Sequence, residues 1–181
     1  MAEGSGPGTT RRSRARAVRE PQAAYAGRPT VWRAGDSAHG DTALLLDTHV
    51  WLWMLDGTHG TMSAAVQPLL ERAARSQRLY VSDFSFWEVA MLANKGRLDL
   101  QVDLWHFLDR ALEAPGVHAV PVTRDVLIAS TRLPGTPQGD PADRILIAQA
   151  QAIGGALVTC DRGIIACAKA TPGVPVCDAR R

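Results

Sequence analysis

Five acidic residues occupy positions from which their carboxylates could act together on a metal ion. One directly follows the apolar run Leu44–Leu46, another follows Ala156–Thr159, and the rest lie near the starts of predicted helices. Carboxylate oxygens suit Mg²⁺ or Mn²⁺, and no comparable cluster of lysines accompanies them. A cation held in this way can activate water and stabilise the leaving oxygen of a phosphoryl displacement. The five residues are Asp47, Glu88, Asp140, Asp143 and Asp161.

Each acid also has a structural interpretation that competes with metal binding. Glu88 lies in an apolar segment, where an unpaired carboxylate is costly, and an ion pair with Arg144 is the alternative to a bound cation. Asp140 can cap a helix with Asp143 in the first turn, and Asp161 can be a turn residue. The placement of all five together favours the metal site.

The acids are separated by alternating strand and helix signals. Short apolar runs predict strands, and segments with one apolar face predict helices. Such alternation indicates a short parallel sheet covered by helices on both sides, which is a three-layer α/β/α domain. The predicted strands are 43–46, 79–81, 117–122 and 156–159, with an edge strand over 174–176. The predicted helices are 50–55, 63–74 (capped by Ser63), 84–95 (capped by Ser82 and ended by Gly96), 104–114 (capped by Asp103), 123–132, 141–152 (capped by Asp140) and 163–170.

This arrangement brings the acids to one edge of the sheet. In open parallel sheets, ligands bind outside the carboxyl ends of the strands. Asp47 and Asp161 directly follow strands there, and Glu88 lies early in the helix after another strand. Asp140 and Asp143 join them if the glycine- and proline-rich loop before them returns over the same edge.

The first forty residues differ in charge and composition from the rest of the chain. They hold seven arginines against three acidic residues, a net charge of +4, whereas the remainder carries −2 and the whole chain of 181 residues +2. This contrast indicates a disordered basic tail over 1–42 and a folded domain over 43–178. The tail is either a dispensable extension, with translation starting near Val31, or a weak contact for phosphate groups. We expect its deletion to leave folding and activity unchanged.

Several protein classes are excluded by composition. No apolar run approaches the ~18–20 residues needed to span a bilayer, and the first residues lack a secretory signal. The three cysteines fit neither a disulfide framework nor a zinc site. The sequence therefore predicts a cytoplasmic protein with no membrane segment.

Five motifs occur in the order in which a known family carries them. They are LLLDTHVWLW (44–53), VSDFSFWEVA (81–90), GRL (96–98), DPADRILIAQA (140–150) and LVTCD (157–161). Together they resemble the VapC-like PIN-domain ribonuclease toxins of type II toxin–antitoxin systems. The resemblance implies a metal-dependent endoribonuclease that leaves a 3′-hydroxyl on its RNA substrate. It also implies a homodimer, and a cognate antitoxin that inserts a segment into the active groove.

The resemblance assigns a role to each acid by its position in the motifs. Asp47, Glu88 and Asp143 match the three core acids of the metal site, and Asp161 matches a more variable fourth. Asp140 matches an aspartate that we place beside the metal. These assignments predict catalysis and binding of Mg²⁺ or Mn²⁺ by the same residues.

Four further residues are predicted to bind substrate. Thr48 and Thr159 match small polar positions that flank the acids in the family, and Arg144 and Arg162 are candidate phosphate contacts. His49 stands next but one to Asp47. We expect it to pack or to support the site, because a metal-bound hydroxide removes the need for a general base.

The chain departs from the family pattern at two loop positions. The subgroup's motif has a histidine before the first aspartate and a phenylalanine before the second, where this sequence has Gly139 and Ala142. Because the acids themselves are present, we expect metal binding to persist and loop rigidity and substrate choice to differ. The aromatic residues are expected to serve core or dimer packing rather than base stacking; they are Trp51, Trp53, Phe86, Trp87 and Trp105.

Two alternative functions remain open from the sequence. A phosphatase of the haloacid dehalogenase type also places an aspartate after its first strand, but it needs a second one where this chain has His49. A PIN-like module that only binds RNA or protein would be expected to lack one or more core acids, and this chain has them all.

Overall fold

The computed structural model describes residues 31–33, 42–58, 60, 62–134 and 140–180. Six strands and seven helices lie within these ranges. In chain order they are β1 (Val31–Arg33), β2 (Leu44–Leu46), α1 (Thr48–Asp56), α2 (Val66–Arg75), β3 (Leu79–Ser82), α3 (Asp83–Asn94), α4 (Leu104–Leu112), β4 (Val117–Val120), α5 (Arg124–Ser130), α6 (Pro141–Ala152), β5 (Ala156–Thr159), α7 (Arg162–Ala170) and β6 (Val176–Asp178).

The strands form one parallel sheet in the order β1-β6-β5-β2-β3-β4. β2 lies inside the sheet, with β3 on one side and β5 on the other. Later strands of the chain therefore lie on both sides of β2, so the direction in which strands are added to the sheet reverses there. Open α/β sheets usually bind their ligands in a crevice at the carboxyl ends of the strands next to such a reversal.

Side-chain alternation along β2 explains why its apolar run is continuous. Leu44 and Leu46 pack into a cluster with residues of α1, α2 and α4, whereas Leu45 packs into a second cluster with residues of α5, α6 and α7. Successive residues of a strand point to opposite faces, so a sheet covered on both faces needs apolar residues at every position. The predicted three-layer α/β/α fold is confirmed.

The sheet is wider than the sequence predicts. The last strand was expected as an edge strand over 174–176, but it spans Val176–Asp178 and lies between β5 and β1. Its outer neighbour, β1, comes from Val31–Arg33, within the segment assigned to the basic tail. That assignment is therefore wrong for these three residues, whereas 1–30 and 34–41 lie outside the described residues. The difference arises because the pairing of a three-residue strand is set by its distant partner rather than by local pattern.

Most predicted helix ends are confirmed by their hydrogen bonds. Ser82 accepts from the N–H of Phe84, Asp103 from that of Trp105, and Gly96 has the left-handed φ of +65° expected after a helix. The second helix is an exception, because it begins at Val66 rather than after Ser63. The Ser63 hydroxyl instead accepts from the N–H of Ala65 within a turn, and no side chain caps α2.

A close approach between β5 and the start of β2 requires glycine at position 155. A Cβ there would lie 2.5 Å from the carbonyl oxygen of Ala43, and that same oxygen accepts from the N–H of Ala156 at 2.8 Å.

Among the described residues, no helix has both the length and the apolar character needed to cross a bilayer.

Candidate active site

Asp47 stands at the carboxyl end of β2 and is held by both neighbouring elements. Its side chain caps α1 by accepting from the N–H of His49 at 3.3 Å, and its other oxygen accepts from the Thr159 hydroxyl at 2.5 Å. Its own N–H donates to the carbonyl of Val158 on β5 at 3.0 Å. The carboxylate is therefore fixed at the junction of β2 and β5, where the topology predicts a site.

Asp161 is joined to Asp47 through the same hydroxyl group. Thr159 is fully buried, and its Oγ1 accepts from the N–H of Asp161 at 2.9 Å while it donates to Asp47. The Asp161 carboxylate caps α7 by accepting from the N–H of Ile164 at 2.8 Å. The carboxyl ends of β2 and β5 are thus connected through hydrogen bonds that involve both acids.

Glu88 lies in the second turn of α3 and faces the first turn of α1. Its Oε2 accepts from the hydroxyl of Thr48 at 2.6 Å, and that hydroxyl also lies 2.8 Å from the Oγ of Ser85. Burial raises the pKa of Glu88, the hydrogen bond from Thr48 opposes this, and the charges of Asp47 and Asp140 raise it further. Glu88 therefore lies close enough to Asp47 and Asp140 for their charges to act on its carboxyl group.

Asp140 and Asp143 reach the group from the start of α6. Asp140 caps this helix by accepting from the N–H of Ala142 at 2.9 Å, with Pro141 at the first helical position. Asp143, one turn further on, is partly buried.

Asp143 lies close enough to the other four acids for their charges to act on it. Desolvation is the largest cause that raises the pKa of Asp143, and together with the charges of four partners it brings the value to about 7. In decreasing order of effect these partners are Asp140, Asp161, Asp47 and Glu88. The start of α6 therefore lies near the other acids, and residues 135–139 of the loop before it lie outside the described part of the chain.

Little positive charge balances this cluster. His49 is largely exposed, and its Nδ1 lies 3.9 Å from Oδ1 of Asp47. Interaction with Asp47 raises the pKa of His49 despite partial burial, and Glu88 and Asp161 add to the effect. In the described ranges, no lysine or arginine forms an ion pair with any of the five acids. The ion pair between Glu88 and Arg144, the structural alternative raised above, is therefore not formed.

The residues predicted to bind substrate have different surroundings in the structure. The hydroxyls of Thr48 and Thr159 are buried and bonded to the carboxylates of Glu88 and Asp47. Arg144 donates from Nε to the carbonyl of Ser130 at 2.9 Å. Arg162 is exposed in the first turn of α7, directly after Asp161.

Ser85 is a site residue that the sequence analysis missed. It is fully buried and hydrogen-bonded to Thr48. Its spacing of three residues from Glu88 puts both on one face of α3, which is a signal that could have been used. Both side chains share Thr48 as a partner, which lies 37 and 40 residues away along the chain. No local feature of the sequence indicates a partner at that distance.

The aromatic residues divide between the core and the surface. Trp51 is buried and packs edge-on against Phe86, with ring centroids 5.1 Å apart. Trp53 is half-buried, whereas Trp87 and Trp105 are 53% and 75% exposed. Core packing is therefore confirmed for Trp51 and Phe86, while the two most exposed rings remain available for a partner.

The donor set of the cluster fits a hard divalent cation. All five groups offer carboxylate oxygens, and their mutual repulsion is a cost that a cation would offset. In the described part of the chain, no three histidine, cysteine or acidic side chains are already arranged around a single point as a ready ligand set.

Comparison with known proteins agrees with this architecture. Residues 44–170 match the family model described as the PIN domain. The chain is 35% identical over 121 residues to Ribonuclease VapC22 of Mycobacterium tuberculosis, with 67% of this chain and 88% of that protein covered. A solved structure described as a toxin–antitoxin complex from Klebsiella pneumoniae is 21% identical with a TM-score of 0.47, over 74% of this chain and 94% of that one. The chain therefore belongs to the PIN-domain family and is a VapC-like member of it.

Proposed function

We propose that this chain is the toxin of a type II toxin–antitoxin system. It acts in the cytoplasm as a divalent-metal-dependent endoribonuclease, and a cognate antitoxin inhibits it. The observation that carries the proposal is the convergence of five carboxylates at the carboxyl ends of β2 and β5 without an arginine or lysine partner in the described residues. The 35% identity to a protein named as a ribonuclease supports it and favours it over the phosphatase alternative.

The cation would be held by Asp47, Glu88 and Asp143, with Asp161 as a fourth ligand and Asp140 beside it. When bound, Mg²⁺ or Mn²⁺ supplies activation of water and offsets the charge that would otherwise repel a phosphodiester.

The protein contributes the orientation of these ligands. Thr159 holds one oxygen of Asp47 and the backbone of Asp161, so the ligands from β2 and β5 keep a fixed separation. Arg162 is exposed beside Asp161 and is placed to contact an RNA phosphate. Arg144 would have to leave the Ser130 carbonyl to do the same.

The test compares RNA cleavage by the wild-type chain and by Asp47→Asn, each purified without antitoxin. We expect cleavage to need Mg²⁺ or Mn²⁺, to stop with EDTA, and to fall by about 100-fold or more in the variant, because several kcal/mol of transition-state stabilisation is lost. Mapping the 5′ ends of the products would identify the cut sites. Asp109→Asn is the matched control, since Asp109 is exposed on α4. Equal rates for wild type and Asp47→Asn would refute the assigned site.

An antitoxin partner is part of the proposal. The cluster of acids offers negative charge without a lysine or arginine partner in the described residues, and a basic antitoxin segment bound there would supply the missing charge and exclude RNA. We expect the toxin to copurify with the product of a neighbouring short reading frame. Cleavage that persists in that complex would contradict inhibition by this partner.

We also propose a homodimer, and exposed apolar residues on α3 and α5 support it. Trp87 on α3, with Leu127 and Ile128 on α5, are 53%, 46% and 41% exposed. The two helices contribute to one apolar cluster, because Phe84 of α3 packs against the set of buried residues that includes Val126 of α5. Large apolar side chains that face solvent are typical of an interface.

A further inference from the structure

The hydroxyl of Thr48 connects two helices at the centre of the acid cluster. Thr48 is the first residue of α1 and directly follows Asp47, and only 2% of it is exposed. Its Oγ1 lies 2.6 Å from Oε2 of Glu88 and 2.8 Å from the Oγ of Ser85, both on α3. A single buried oxygen therefore contacts a carboxylate and a second hydroxyl.

Proton counting fixes the direction of these hydrogen bonds. A threonine hydroxyl has one proton to donate and two lone pairs to accept with. The ionised carboxylate of Glu88 can only accept, and bonds to charged acceptors are the shorter and stronger kind. Thr48 therefore donates to Glu88, and the Ser85 hydroxyl donates to Thr48. The three groups form a directed chain from Ser85 through Thr48 to Glu88.

This chain opposes the repulsion between two of the acids. The charge of Asp47 acts on Glu88, and without a restraint the longer glutamate side chain would rotate away from its neighbour. Because Thr48 is bonded covalently to Asp47, its hydroxyl holds the Glu88 carboxylate at a set distance from the backbone that carries Asp47. Oε1 of Glu88 stays outside this hydrogen bond.

We infer that Thr48 is a positioning residue that holds Glu88 for metal binding, and that Ser85 orients the Thr48 hydroxyl. This role differs from the substrate contact that the sequence predicts for Thr48, and it rests on the proposed metal-dependent function. Residues that support a metal ligand in this way typically contribute 10- to 100-fold to metal affinity, by general experience with such sites.

The test measures Mn²⁺ affinity of the metal-free protein by electron paramagnetic resonance, without RNA. Thr48→Val keeps the shape of the side chain and removes the hydroxyl, so we expect Mn²⁺ to bind about 10- to 100-fold more weakly. Thr48→Ser keeps the hydroxyl and should restore affinity to within about threefold. Ser85→Ala leaves the bond to Glu88 in place and should lose less than Thr48→Val.

Two controls separate a positioning role from a loss of folding. Thr131→Val removes an exposed hydroxyl bonded to the carbonyl of Ile128 on α5, and it should bind Mn²⁺ as wild type does. Circular dichroism and thermal melting check that each variant is folded. If Thr48→Val does not fold, Thr48→Ala serves as the second variant without the hydroxyl.

The outcomes distinguish this inference from the proposed function. Wild-type affinity in folded Thr48→Val, or a larger loss in Ser85→Ala than in Thr48→Val, would overturn the positioning role and leave the ribonuclease proposal intact. A wild-type protein that neither binds Mn²⁺ nor cleaves RNA would overturn both. Weak binding in Thr48→Val with recovery in Thr48→Ser would support the role, because a purely structural defect would not depend on the hydroxyl.

Discussion

Asp143 carries the largest electrostatic perturbation among the acids. Desolvation and then the charges of its neighbours raise the pKa of this carboxyl to about 7 from an ordinary value of 3.8. The folded state therefore binds the proton more tightly than the unfolded state. The resulting stabilisation is complete below pH 3.8 and is lost as the pH rises through about 7. The raised pKa values of Glu88 and His49 act in the same direction.

We therefore expect the metal-free protein to lose stability as the pH rises from about 4 through about 7. Thermal melting in EDTA should show a falling midpoint over this range, and Mn²⁺ at the upper end should raise it, because the cation replaces the lost protons. Asp143→Asn should flatten the decline, whereas Asp109→Asn should keep it. If the melting midpoint of Asp143→Asn fell with pH as steeply as that of the wild type, the pH dependence would not arise from the proton on Asp143.

The residues of the site differ in how far the sequence could predict them. The five acids could be located because strand ends and helix starts have local signals, such as the apolar run before Asp47 and the Asp-Pro pair at Asp140. The partners of Thr48 and Thr159 could not, since both bonds cross between elements that are far apart in the chain. Such contacts depend on how α1 packs on α3 and how β2 pairs with β5.

At the scale of elements, helices were easier to predict than the width of the sheet. Helix ends have side-chain caps next to them in sequence, and Ser82, Asp103 and Asp140 cap as predicted. The pairing of β1 with β6 joins segments about 145 residues apart, as in Val31 opposite Val176, and a three-residue strand carries too little pattern to indicate its partner.

The strand β1 changes the expectation for deleting the tail. Removal of residues 1–30 keeps β1 and should leave the melting temperature and RNA cleavage close to those of the full chain. Removal of 1–40 also deletes β1, which uncovers the outer edge of β6 and removes the packing of Val31. We expect this shorter chain to melt at a lower temperature and to aggregate more readily. Equal melting of both truncated chains would show that β1 contributes no stability.

At the scale of the whole molecule, the chain carries both an acidic cluster and a set of exposed apolar side chains. Negative charge is concentrated at the carboxyl edge of the sheet, while Trp87, Leu127 and Ile128 give α3 and α5 an apolar exterior. We propose that a dimer forms through these apolar side chains and leaves the acidic cluster accessible to RNA or to an antitoxin.

Light scattering after size exclusion tests the dimer. The wild-type chain should elute with twice its mass of 19.4 kDa, and Ile128→Glu should give the monomer because a buried, unpaired carboxylate is costly. Val102→Glu, which alters an exposed apolar residue before α4, should remain dimeric. Dimers of equal stability in both variants would place the interface elsewhere.

Three of the five acids do a second task, because Asp47, Asp140 and Asp161 each cap a helix. A descendant of this protein that had lost catalysis would still gain stability from an aspartate at those positions. Their presence in a relative is therefore weak information about whether that relative is active. Glu88 caps no helix, and its carboxylate accepts from the Thr48 hydroxyl beside the other acids, so the proposed metal site is the role that we assign to a carboxylate there. Its replacement by an apolar residue would be the clearest mark of an inactive relative.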